Sequence, residues 1–213
     1  LDVSLDKTLR RKDPSERGRR FLTQLVYGTV RHRILLDHVL EPLLRQPLSK
    51  LPLPIWIILR MGVYQSLFLS QVTFPAMVHT SVELAKKRGH AGMAKLVNAV
   101  LRRAPRSLDD VKLPPREDTV EYLRIRHSLP RWIARMWLEQ FGPETATEMA
   151  EASNEPALPT LRVNTRKTSV DTLSQALLRT GYLVEKRTPV PEELTVVDGP
   201  PATRSKLFQT GHF

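Results

Sequence analysis

The chain has 213 residues, 41% of them hydrophobic and 26% charged, which is enough for one or two domains with a filled core. It holds no cysteine, which excludes disulfides, thiolate metal sites and cysteine nucleophiles and fits a reducing cytoplasm. The net charge of +11 lies wholly in the first half: residues 1–105 carry 18 Lys and Arg against 7 Asp and Glu, and residues 106–213 carry 15 of each.

Like charge concentrated in this way is self-repulsive, so it implies a polyanionic partner or, more plainly, a solvated surface. The most apolar stretch, residues 55–69, is too short for a membrane span and contains Arg60 and Gln65. No signal peptide is visible, because the first apolar residues are scattered among Asp2, Asp6, Lys7, Arg10 and Arg11. The expectation is a soluble, cytoplasmic chain without a membrane partner.

In chain order, the first helix is expected to begin at Asp13-Pro14-Ser15-Glu16, with Asp13 as N-cap, Pro14 at the first helical position and Glu16 at the third. Phe21, Leu22, Leu25 and Val26 recur at helical spacing, while Arg20, Gln24, Tyr27 and Arg31 share another, partly basic face. A second helix is expected over 33–44, limited by Pro42. Pro54 opens a third, reaching 69, whose apolar residues cover most of its circumference and mark it as central. A fourth spans 75–88 and stops at Gly89, and a fifth spans 92–103 and stops before Pro105. Five helices joined by short turns make a bundle.

Residues 106–116 read as a connecting loop, followed by helices over 117–126, 131–141 and 144–152, with Gly142-Pro143 separating the last two. The pattern changes at Pro156-Ala157-Leu158-Pro159. A strand over 160–164, a helix capped by Ser169 and stopped at Gly181, and strands over 182–185 and 194–197 give a β-α-β-β order. The chain starts at Leu1 and stops on the apolar run Leu207-Phe208-Gln209-Thr210-Gly211-His212-Phe213, so both ends read as cut, with Leu207, Phe208 and Phe213 left for a following domain to cover.

No chemistry-bearing motif stands out. The six histidines, His32, His38, His79, His90, His127 and His212, form no metal-ligand pair, and no phosphate loop, dinucleotide loop or nucleophile elbow is present. No catalytic residue, metal site or cofactor site is expected in this chain. Two basic groups remain. The first comprises Arg10, Arg11, Lys12, Arg17, Arg19, Arg20, Arg31 and Arg33, and the second Lys86, Lys87, Arg88, Lys95, Arg102 and Arg103. Guanidinium forks pair with phosphate oxygens and lysines act as mobile point charges, while few aromatics are interleaved to stack on bases. RNA binding through phosphates and helix shape is the economical reading.

Leu25-Val26-Tyr27-Gly28-Thr29-Val30-Arg31, Leu59-Arg60-Met61-Gly62-Val63-Tyr64-Gln65 and Leu96-Val97-Asn98-Ala99-Val100-Leu101-Arg102 occur in this order, followed by Ser128-Leu129-Pro130-Arg131-Trp132 and Leu161-Arg162-Val163-Asn164. Together they resemble the NusB-like N-terminal region of the RsmB (Sun/Fmu) family of ribosomal RNA cytosine-5 methyltransferases. Read from the residues alone, Leu59, Val63, Val97, Val100 and Leu101 are core positions. Gly28 and Gly62 are read as permitting close helix packing, and Asn98 as a buried hydrogen-bonding residue rather than a base reader. Arg31 and Arg102 are the better functional candidates. Asn164 with Arg162 is read as an RNA contact or, equally, as part of a strand-end turn.

The resemblance implies methyl transfer from S-adenosylmethionine to carbon 5 of a cytosine in small-subunit ribosomal RNA, with two cysteines assisting. This chain has neither cysteine, so the resemblance implies an N-terminal fragment whose cofactor and catalysis lie in a missing C-terminal methyltransferase domain. The expected fold is mainly α: a NusB-like helical domain over 1–155, with its core bundle at 1–105 and further helices over 117–152, then a small, truncated α/β domain of RRM-like type over 156–213. The expected partners are ribosomal RNA and the chain's own catalytic domain. The expected RNA contacts are Arg17, Arg20, Arg31, Arg33, Lys86, Lys87, Arg88, Lys95, Arg102, Arg103, Arg162 and Asn164. A free-standing NusB-like antitermination factor and a docking bundle for ribosome assembly are the alternatives.

Overall fold

A helix that apolar periodicity does not announce opens the structure, a computed structural model that describes residues 2–187 and 189–213. Helix α1 (Asp2–Lys12) has Leu9 as its buried apolar residue and is supported by an i,i+4 ion pair between Arg10 and Asp6 at 2.8 Å. Its C-terminus corrects the expected start of the next helix. Asp13 takes a left-handed conformation, φ 39°, and its N–H donates to the Leu9 carbonyl, so it ends α1. Ser15 is the N-cap of α2 (Glu16–Arg31), its hydroxyl accepting from the Gly18 N–H at 3.2 Å.

Helix α3 (Arg33–Leu40) ends earlier than expected, in a 3₁₀ turn, Glu41–Leu43, that contains Pro42. Helices α4 (Leu53–Phe68), α5 (Phe74–Arg88) and α6 (Ala91–Arg103) follow their proline and glycine signals to within a residue or so. Helix α4 packs against α2, α3, α5 and α6, burying Ile55, Ile58, Leu59, Val63 and Tyr64, each worth roughly 1.5–3 kcal/mol of burial. It is not apolar-buried all round, since Leu53 and Ile57 stay exposed. Gly62 admits the α6 side chain Leu101, which a Cβ would meet at 2.7 Å, and Gly28 admits the Tyr64 ring, which a Cβ would meet at 2.0 Å.

Helices α7 (Thr119–Arg126) and α8 (Arg131–Asn154) pack on each other around Leu123, Leu129, Ala134, Ala146 and Ala150. Helix α8 is two helical segments joined at Gly142, whose φ of 77° breaks the helix ahead of Pro143. Ser128 sits in the left-handed region, φ 56°, and its hydroxyl accepts from the Leu35 N–H at 3.0 Å. A residue 93 positions away thus supplies the side-chain cap that α3 lacks locally.

The chain divides into two compact units, Leu1–Asn154 and Glu155–Phe213. In the second, β1 (Thr160–Arg162) and β2 (Leu183–Glu185) both pair antiparallel with β3 (Glu193–Asp198), in the order β1-β3-β2. The sheet makes the chain mainly, not wholly, helical. Helix α9 (Val170–Arg179) has Ser169 as N-cap, buries Leu173 and Leu177, and is followed by Gly181 at φ 86°. A short α10 (Lys206–Gln209) precedes the last residues. Leu207 and Phe213 pack against the core of this unit, so the apolar run expected to be bare is partly covered from within, leaving Phe208 exposed. Among the described residues no helix is long and apolar enough to cross a membrane.

Candidate RNA-binding surface

Helices α5 and α6 form a tight hairpin through Gly89 and His90. Lys86 lies in the last turn of α5, and Lys95, Asn98 and Arg102 recur at helical spacing along one face of α6. The groove between them encloses about 510 Å³ and is lined by Lys86, Lys95 and Asn98 together with Val82, Ala91 and Ala94. Asn98 is half-buried rather than buried, and its Oδ1 accepts from Arg102 Nε at 3.0 Å, which ties the guanidinium to a residue of the groove. Lys86 donates to Glu83 at 2.7 Å and holds that carboxyl below its usual range through this hydrogen bond and its charge. Among the described residues Arg88, Lys95, Arg102 and Arg103 have no carboxylate at ion-pair distance, and Lys87 acts on Glu83 through its charge alone.

The structure does not gather the whole second group on one face. Arg88 borders an apolar groove between α4 and α5 beside Leu53, Ile57 and Leu84. Arg103 reaches toward the Leu43 carbonyl at 3.5 Å and lines a separate groove with His38, Arg106 and Lys112. Arg106 and Lys112 fall in what reads as a plain connecting loop, and nothing in their spacing marks them as neighbours of Arg103.

The first group is more heavily engaged. Arg19 and Arg20 face Asp13 at 3.6 Å and Glu16 at 2.6 Å. Arg31 donates through Nη1 to the Asn154 carbonyl at 3.0 Å, placing a cation at the C-terminus of α8, where the helix dipole favours it. Arg17 and Arg33 are exposed. Beside Arg31, the His32 ring stacks on Phe68 at 4.3 Å, and burial, with Arg31, Arg126 and His127 nearby, pushes its pKa down to about 4. His127 is buried and shifted the same way, mainly by desolvation. Among the described residues His32 Nδ1 and His127 Nε2 have no hydrogen-bond partner, and no group of three His, Cys, Asp or Glu is placed to hold a metal.

In the second unit Arg162 is exposed on β1, opposite Glu193 of β3. The Asn164 amide is engaged within the fold. Its Nδ2 donates to the Gly211 carbonyl at 2.8 Å and its Oδ1 accepts from the Arg166 N–H at 3.2 Å, which is the turn role of the two readings.

The groove at Arg103 carries two carboxylates, Glu41 and Asp110, and the Asp110 carboxylate accepts from the Arg106 and Ser107 N–H groups at 3.4 and 3.2 Å.

Comparison with known proteins matches this architecture in order. Residues 1–106 match the NusB family, and residues 129–202 match the ferredoxin-like domain of RsmF/B-like methyltransferases. A probable ribosomal RNA small subunit methyltransferase B of Bacillus subtilis is 33% identical over 99% of this chain and 46% of its own length. The ribosomal RNA small subunit methyltransferase B of Thermus thermophilus is 43% identical over 72% of this chain and 34% of its own length. The crystal structure of PH0851 superposes with a TM-score of 0.67 at 21% identity, covering 97% of this chain and 46% of that one, and so shares the fold. The chain therefore spans less than half the length of these relatives. With a NusB domain leading into an RsmF/B ferredoxin-like domain, it belongs to the ribosomal RNA small subunit methyltransferase B family.

Proposed function

We propose that this chain is the RNA-docking part of an S-adenosylmethionine-dependent ribosomal RNA (cytosine-5) methyltransferase of the cytoplasm. It holds small-subunit RNA for a catalytic domain that lies outside these residues and brings the cofactor and the cysteine chemistry. In this reading residues 1–155 form the NusB-like RNA-binding domain, and residues 156–213 are one part of an RRM-like domain. The observation that carries the proposal is the α5–α6 groove, lined by Lys86, Lys95 and Asn98, with Asn98 also holding the Arg102 guanidinium. Lys87 adds an exposed cation nearby, and Arg17, Arg33 and Arg162 are further exposed candidates. Matched segments beyond the helical bundle support this reading over a free-standing antitermination factor.

Such a surface recognises phosphates, so affinity falls with salt, by roughly 0.7–0.9 log unit per log unit of salt for each phosphate neutralised. Titrating a fragment of small-subunit RNA from 50 to 200 mM salt tests it. Replacing Lys86, Lys87, Lys95 and Arg102 together by Ala is expected to flatten the slope by about 3 and weaken binding at least ~30-fold at low salt. An unchanged slope would remove the groove from the RNA interface.

A further inference from the structure

Past the C-terminal end of α6, the fold builds a second, open concavity of about 940 Å³ between α3, the turn that follows it and the loop after α6. This is at the upper end of the roughly 300–1,000 Å³ typical of sites for small organic groups. Val39, Leu43, Ala104 and Val111 make it apolar inside, while Arg103, Arg106 and Lys112 stand at it as cations. Two carboxylates, Glu41 and Asp110, stand against these three cations, and Asp110 is turned onto the Arg106 and Ser107 N–H groups. The loop is held, not loose: His38 Nε2 and the Lys112 carbonyl share a hydrogen bond of 2.7 Å. The Arg106 guanidinium is also held, 4.6 Å from the centre of the Phe74 ring.

A guanidinium resting on Phe74 stands beside an apolar cavity, where its plane is available to a base, with further cations for phosphate. Duplex RNA cannot use such a cavity, because its bases are stacked inward and its deep groove is closed to side chains. An unpaired nucleotide can, by laying its base against apolar atoms and an arginine plane. Of the consecutive residues Arg102 and Arg103, the first is bonded to Asn98 of the α5–α6 groove and the second lines the new concavity, so a single strand crossing the end of α6 can meet both.

We infer that this concavity takes one unpaired nucleotide of the bound RNA, with its base between the apolar lining and Arg106 and its phosphate near Arg103 and Lys112. The inference rests on the RNA-docking reading above and narrows the substrate to RNA with an unpaired segment next to a helix.

The test measures anisotropy titrations of the 213-residue chain with two RNAs: a blunt hairpin, and the same hairpin with a five-nucleotide unpaired tail. The tailed RNA is expected to bind about 10-fold tighter, within the range of one stacked base. Arg106→Lys keeps the charge and loses the plane, and is expected to cut that advantage to about 2-fold while leaving hairpin affinity unaltered. Arg106→Ala with Lys112→Ala should remove it. Equal affinity for the two RNAs, or a tail advantage that survives both variants, would overturn the inference while RNA docking stands. Binding of neither RNA would overturn both. A groove that binds an oligo-glutamate peptide but ignores the tail would belong to an acidic protein segment, which also overturns it.

Discussion

Two groups of cations of similar size sit in the helical unit, and the fold uses them differently. Around α1 and α2, Arg10, Arg19 and Arg20 face carboxylates one helical turn or one loop away, and Arg31 closes onto the end of α8. Around α5 and α6, Glu83 is the acidic partner among the described residues; it pairs with Lys86 and feels the charge of Lys87. Arg10, Arg19 and Arg20 of the first group are therefore partly neutralised within local structure, while most of the second group, like Arg17 and Arg33, keeps its charge available. Counting lysines and arginines along the chain cannot separate the two roles. What separates them is where the nearest oxygen lies.

If this contrast is right, damage near α2 should register as stability, with little effect on the salt dependence of RNA binding. The largest effect is expected at Gly28, where an added Cβ would overlap the Tyr64 ring within the His32–Phe68–Tyr64 stack. Gly28→Ala is expected to cost about 2–3 kcal/mol in urea unfolding, more than the ~1 kcal/mol that alanine gains in helix propensity. In a Tyr64→Leu background the same change should cost almost nothing. A full penalty there would mean that the ring is not the obstacle.

A smaller effect concerns acid. His32 is neutral in the folded chain, with a pKa near 4 against an ordinary value of 6.5. The unfolded chain thus binds the extra proton first as pH falls. The stabilisation is complete above about pH 6.5 and is lost progressively toward pH 4. Because the ring is only half-buried, the loss is about 1–2 kcal/mol, and His127 adds to it in the same direction. His32→Phe keeps a ring on Phe68 and should flatten the change in stability between pH 6.5 and 5. An identical pH profile in this variant would place the acid sensitivity elsewhere.

The smallest effect tests the contrast from the other side. Replacing Arg10, Arg19 and Arg20 together by Ala should leave RNA affinity within about 3-fold and alter the salt slope by less than 1, since exposed ion pairs are already screened and partly neutralised. A loss matching that of the α5–α6 variant would erase the distinction between the groups.

The sequence announces elements that carry their own punctuation. Pro54, Gly89 and Pro105 bound α4 to α6 closely, and Ser169 with Gly181 bounds α9, because these residues act through their own backbone. Helix α1 escapes because charge pairing, not an apolar face, supports it, and Asp13 misleads because an N-cap residue type also tolerates the left-handed end of a preceding helix. The site is legible only as a count of charge. The Arg102–Asn98 bond lies at readable i,i+4 spacing, but the Arg31–Asn154 bond spans 123 residues and the Ser128–Leu35 bond 93, and no local pattern encodes either.

Those two long spans also set an order in time. The contacts among α4, α5 and α6 join helices adjacent in the chain, so each closes over a short loop. The joint of Ser128 with Leu35 and Arg31 with Asn154 must draw together segments about a hundred residues apart, at a higher entropy of closure and for a few polar bonds. It is thus expected to assemble after the α4–α6 packing and to open before it, and amide exchange at Leu35 is expected to run ahead of that in α4.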